Sequence, residues 1–263
     1  MALTLLETAG APRTGRRVVV ITGAGTGIGR ATAVAFAAEG ADVVAVGRRP
    51  GPLAETAALA AGTDGAISPY PADITADGVP AAVVRHAVET HGRLDVLVNN
   101  AAVVGSGSLG SHTKASMAPQ LATNLVAPVL LTQEAVPQLE RTGGVVVNIS
   151  TSVGQRGWPG NAVYAATKTG LELLTRSWAV ELAPRGVRVV AVAPGAIDTP
   201  IADHQGLPPE RREALRDWQI DHTPMGRIGR PEEVAWAVTR LAAPAAAFVT
   251  GVVLPVDGGA VVG

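Results

Sequence analysis

Three valines and an isoleucine, Val18-Val19-Val20-Ile21, run directly into Thr22-Gly23-Ala24-Gly25-Thr26-Gly27-Ile28-Gly29, and a helical pattern follows over 27–39. An apolar run without polar alternation suits a strand covered on both faces, the usual state of a strand in a parallel sheet. Glycines between such a strand and a helix allow a tight turn and let a pyrophosphate approach backbone N–H groups at the positive end of the helix. The spacing is G-x-x-x-G-x-G rather than the more common G-x-G-x-x-G. A structural turn is the plain alternative, since the chain holds 31 glycines. The position of this cluster, after a buried strand and before a helix, favours a nucleotide site.

The same alternation continues along the chain. Strands are expected at 41–47, 66–70, 94–100, 143–150, 187–195 and 251–259. Helices are expected at 52–61, 79–91, 115–140 (interrupted at Pro128 and Pro137), 162–183, 200–222 and 231–241. Pro69 and Pro71 demote the 66–70 strand to a sheet edge, because proline offers no N–H to the ladder. Alternating strands and helices imply an α/β fold, a Rossmann-type doubly wound parallel sheet of about seven strands with helices on both faces. No break in composition divides it. Residues 1–15 read as a flexible leader and 16–263 as a single dinucleotide-binding catalytic domain.

Composition excludes several classes. The net charge is −1, with no basic run to neutralise phosphates, so nucleic acid is not an expected partner. No stretch is long and apolar enough to span a membrane. There are no cysteines, and the five histidines lack metal-binding spacing, so no metal is expected. His86 and His91 lie five apart and read as surface residues. The absence of cysteines fits a cytoplasmic protein.

The second strand ends Val46-Gly47-Arg48-Arg49, where an NAD-binding unit usually carries an acid for the ribose hydroxyls. Arg48 offers a guanidinium to a 2′-phosphate instead. NADP(H) is therefore the preferred cofactor, with NAD(H) possible. A solvated arginine is the alternative.

Seven pieces now stand in order: the Thr22–Gly29 turn, Asp73, Asn99-Asn100-Ala101-Ala102, Asn124, Tyr164-Ala-Ala-Thr-Lys168, Pro194-Gly195-Ala-Ile-Asp-Thr199, and VDGG at 256–259. Together they resemble the short-chain dehydrogenase/reductase family over about residues 16–259. With two tyrosines and two lysines, a chance Tyr-x-x-x-Lys is expected only about 0.02 times. Tyr164 and Lys168 are i,i+4 and share a helix face. An ammonium beside a phenol favours the phenolate and lowers its pKa, which suits a residue that exchanges a proton with a carbonyl or alcohol oxygen.

The resemblance implies more. Lys168 also holds the nicotinamide ribose, and Asn124 ends a proton relay through water. The family places a serine thirteen residues before the tyrosine; here that position is Thr151, with Ser152 as the fallback. Threonine keeps the hydroxyl but adds a methyl and stiffens χ1. Gly23, Gly25, Thr26, Gly27, Ile28 and Gly29 would meet the pyrophosphate. Asp73 and Ile74 would meet the adenine, Asn100 would fix backbone near the adenosine half beside Ala101, and Ala102 replaces the glycine common there. Pro194, Gly195, Ile197 and Thr199 would cradle the nicotinamide and pyrophosphate. Trp158 either walls the substrate pocket or packs the loop. A homo-oligomer, a tetramer, is expected.

The function implied is hydride transfer between NADP(H) or NAD(H) and a small to medium apolar ketone or secondary alcohol. A non-catalytic dinucleotide-binding sensor or scaffold is the alternative, but it leaves Asn124, Tyr164 and Lys168 without a task. A methyltransferase of similar fold leaves Tyr164, Lys168 and VDGG unexplained.

Overall fold

The computed structural model describes residues 15–155, 160–201 and 209–263. Strands and helices alternate as β1 (Val18–Thr22), α1 (Gly27–Ala38), β2 (Asp42–Gly47), α2 (Pro50–Ala58), β3 (Ala66–Pro71), α3 (Val79–His91) and β4 (Val96–Asn99). Next come α4 (Lys114–Leu121), α5 (Ala127–Thr142), β5 (Val145–Ile149), α6 (Ala162–Leu182), β6 (Arg188–Pro194), α7 (Pro209–Asp221), α8 (Pro231–Ala242) and β7 (Val253–Val256). The seven strands form one parallel sheet in the order β3-β2-β1-β4-β5-β6-β7.

Successive strand side chains point to opposite faces, and both faces here are covered. Val19, Ile21, Val43 and Ala45 pack with Phe36 of α1 and Val234 and Val238 of α8. Val18, Val20, Val44 and Val46 pack on the other side with Val83 of α3, Leu131 and Leu139 of α5, and Leu182 of α6. This two-sided burial is why β1 and β6 read as uninterrupted apolar runs. β3, with Pro69 and Pro71, takes the edge position expected of it.

The strand order reverses direction at β1 and β4, whose C-terminal ends open a crevice. A buried polar ladder braces that opening. Asn99 donates to Asn148 Oδ1 at 2.9 Å and to Thr132 at 3.2 Å, and Asn148 donates to Thr175 at 2.9 Å. The ladder ties β4 and β5 to α5 and α6.

Two expectations are corrected. The long helix over 115–140 is not interrupted at Pro137, through which α5 runs. Near Pro128, which has no N–H to offer the carbonyl four residues back, the helix does depart from α geometry, just upstream. The irregularity is a π-helical turn, Ala122–Val126, with the Ala127 N–H donating to the Ala122 carbonyl. His86 and His91 are half-buried rather than surface residues. The His86 ring lies 4.6 Å from that of Tyr70, and His91 faces Asp42 at 3.9 Å.

Candidate active site

A cleft of about 660 Å³ lies along the crevice, within the range of ligand pockets. The turn between β1 and α1 forms its floor. Gly27 has φ +54, which glycine adopts without strain. A methyl at Gly29 would stand 2.2 Å from the Gly23 carbonyl oxygen. Asn100 holds the turn from β4, donating from Nδ2 to the Thr22 carbonyl at 2.8 Å and the Gly23 carbonyl at 3.2 Å.

Thr26, the N-cap of α1, makes no side-chain cap, and the first turn carries no acid. The positive end of the helix therefore opens toward the cleft without a counter-charge. These residues fit a dinucleotide pyrophosphate. Gly23, Gly25, Thr26, Gly27, Ile28, Gly29, Arg48, Asp73, Ile74, Asn100 and Ala101 all line the cleft. So do Pro194, Gly195, Ile197 and Thr199. Arg48 is exposed at the end of β2. The Asp73 carboxylate is held below its usual pKa, first by the Thr75 backbone and hydroxyl donors (3.0 and 2.7 Å), with a smaller contribution from the Arg48 charge.

The chemical end of the cleft is assembled by α6 against the end of β5. Tyr164, Lys168 and Thr151 all line it. Tyr164 hydrogen-bonds Thr151. The Lys168 ammonium is buried and donates to the Ile149 carbonyl at 2.7 Å. Burial pushes the Tyr164 phenol up to about 12, partly opposed by the Thr151 hydrogen bond, and pulls Lys168 down to about 8. The phenol thus moves opposite to the direction expected from its lysine neighbour. Desolvation outweighs the ammonium here, and Thr151 supplies the stabilisation of the phenolate.

Among the described residues, two of the expected ones do not line the cleft wall. Asn124 sits in the π-helical turn, fully buried. Its Oδ1 accepts from the Val103 N–H and its Nδ2 donates to the Val103 carbonyl, both at 2.8 Å, so its side chain clamps the loop after β4. Ser152 is buried and starts a short 3-10 turn outside the lining. Trp158 lies outside the described residues. Leu215 and Gln219 line the cleft from α7, and Val103 and Val104 line it from the loop after β4. They fall within 200–225 and 103–116, two of the segments (with 155–161) where the sequence places substrate specificity, although it does not single out these four side chains.

Residues 23–261 match the family described as enoyl-(acyl carrier protein) reductase. The chain belongs to the short-chain dehydrogenase/reductase family and is an NAD(P)-dependent oxidoreductase. It is 39% identical over 247 residues to the 3-oxoacyl-[acyl-carrier-protein] reductase FabG of Thermotoga maritima, covering 94% of this chain and 98% of that protein. It is also 39% identical over 246 residues to the cis-4-hydroxycyclohexanecarboxylate dehydrogenase of Sinomonas cyclohexanicum, covering 92% and 96%. Among solved structures, the 3-ketoacyl-(acyl-carrier-protein) reductase of Brucella melitensis complexed with NADH superposes with a TM-score of 0.86. It is 32% identical, with 94% of this chain and 98% of that chain covered.

Proposed function

We propose that this enzyme interconverts a small to medium apolar ketone and its secondary alcohol in the cytoplasm, with NADP(H) preferred over NAD(H). The observation behind the substrate class is the charge distribution of the cleft. Among the described residues, and apart from Lys168, its charged lining residues are Arg48, Arg49 and Asp73, after β2 and β3. The lining from the loop after β4 and from α7 (Val103, Val104, Leu215, Gln219) is uncharged. The relative named for cis-4-hydroxycyclohexanecarboxylate points to a compact secondary alcohol, one that carries a carboxylate, so it supports the size of the substrate and not its lack of charge.

A bound nicotinamide supplies the hydride in reduction and takes it up in oxidation. Tyr164 donates its phenolic proton to the carbonyl oxygen in reduction and accepts it back in oxidation. Thr151 donates to the same oxygen and orients it. Lys168, anchored on Ile149, holds the nicotinamide ribose and places positive charge near the phenol. Asn124 ends a water-mediated proton relay. Residues 16–263 act as one catalytic domain. A panel of ketones and secondary alcohols, followed by cofactor absorbance with both cofactors, tests the reading. Turnover confined to charged or acyl-carrier substrates would overturn the substrate class.

Cofactor choice rests on Arg48. A charge-assisted contact to a 2′-phosphate is worth about 1.5–3 kcal/mol, so Arg48→Ala is expected to lower kcat/KM for NADP(H) by about 10–100-fold and leave NAD(H) nearly unchanged. Equal or better kcat/KM with NAD(H), insensitive to that substitution, would exclude the preference.

The protein works as a homo-oligomer, a tetramer. Leu121 on α4, Val126 in the π-helical turn, Leu130 on α5, and Leu173 and Val180 on α6 are exposed apolar side chains. Light scattering is expected to give a multiple of 26.6 kDa. A single species at that mass would contradict the assignment.

A further inference from the structure

Glu172 is a buried carboxylate, 5% exposed, to which the proposed chemistry gives no task. It lies on α6 one turn beyond Lys168, as Lys168 lies one turn beyond Tyr164. These three side chains, spaced four apart on one helix face, meet three consecutive residues at the end of β5. Lys168 Nζ donates to the Ile149 carbonyl at 2.7 Å. Glu172 Oε1 accepts from the Ser150 hydroxyl at 2.7 Å. Tyr164 hydrogen-bonds Thr151. The Ser150 hydroxyl also lies 3.4 Å from the Lys168 carbonyl, but one proton serves one strong bond and the shorter contact to the carboxylate takes it. On its other side, the Ser150 N–H is fixed to the Val192 carbonyl of β6 at 2.8 Å.

Thr151 itself is weakly held. Its hydroxyl lies 3.5 Å from the Pro194 carbonyl and accepts from the Val153 N–H at 3.3 Å. Its position therefore depends on the residue before it. We propose that Glu172 is a positioning residue: through its hydrogen bond to Ser150 it fixes the end of β5, so that the Thr151 hydroxyl stays against Tyr164. This rests on the reading of Tyr164 and Thr151 given above.

Two readouts test it. Tyrosine labelled with ¹³C at Cζ gives one signal each from Tyr70 and Tyr164, the only tyrosines, and Tyr164→Phe assigns them. Glu172→Ala is expected to shift the Tyr164 signal, to lower kcat by about 10–100-fold with little change in KM, and to leave cofactor affinity as it was. Glu172→Gln, whose amide oxygen still accepts from Ser150, is expected to restore both. Ser150→Ala is expected to match Glu172→Ala, and the double variant to add nothing further. If Glu172→Ala does not fold, Ser150→Ala alone decides. An unmoved Tyr164 signal in the folded variant overturns the proposal, as does wild-type kcat. The labelling needs no substrate. If no ketone or alcohol is turned over, the functional reading fails, while the coupling of Glu172 to Tyr164 is still judged by the spectrum.

Discussion

Tyr164→Phe is expected to reduce turnover by about 10³-fold or more while cofactor affinity stays within about twofold of the original. The ring and its packing survive, and only the proton donor is lost. The pH dependence of the parent enzyme follows from the same group. A phenol pushed up to about 12 is protonated throughout the neutral range. Ketone reduction, which uses the protonated form, should be flat there and fall only as pH approaches that value. Alcohol oxidation uses the phenolate and should accelerate as pH rises. Lys168, drawn down to about 8, loses its charge above that pH, so its help to the phenolate is gone well before the phenol begins to titrate. Steady-state rates of Tyr164→Phe in both directions and the parent's pH profiles are the measurements. Near-normal kcat in the variant would remove Tyr164 from the mechanism.

Thr151→Val should cost kcat about 10²–10³-fold, as loss of one oxyanion donor does. Valine keeps the β-branched shape and deletes only the hydroxyl. Thr151→Ser should remain active and accept a broader range of ketones, because one methyl leaves the cleft wall. Ser152→Ala should change little, since Ser152 stands outside the lining while Thr151 touches Tyr164. The reverse pattern, Ser152→Ala inactive and Thr151→Val active, would move the substrate hydroxyl by one residue.

The sheet was legible because its central strands are buried on both faces, and this leaves uninterrupted runs such as Val18–Ile21 that no helix period explains. The turn at Gly23–Gly29 and the Tyr164/Lys168 pair were legible because each depends on residues close in the chain. What the sequence hid depends on partners far apart. The Asn99–Asn148 ladder joins residues 49 positions apart, and the Ser150–Glu172 bond joins residues 22 apart. Neither pairing has a local pattern. The electrostatics of Tyr164 were hidden for the same reason. The neighbouring lysine is visible in the sequence, but the depth of burial that outweighs it belongs to the folded chain. Pro137 drew attention to a part of the long helix that stays regular, whereas Pro128 marked the neighbourhood of the π turn but not its form, because a π turn has no residue signature comparable to proline's missing N–H.

That π turn has an evolutionary consequence. A π segment holds one residue more than the α-helix would in the same length, and each residue of an α-helix turns the chain by about 100°. Asn124 meets Val103 from within this turn, across which α4 and α5 are out of phase by that amount. No exchange of one side chain for another creates or erases such a phase slip. It takes the gain or loss of a single codon, so drift by point mutation can alter the residues in this turn while the turn itself persists. A one-codon deletion between 122 and 126 would keep a regular helix in place and rotate α4, with the loop it carries, away from the cleft.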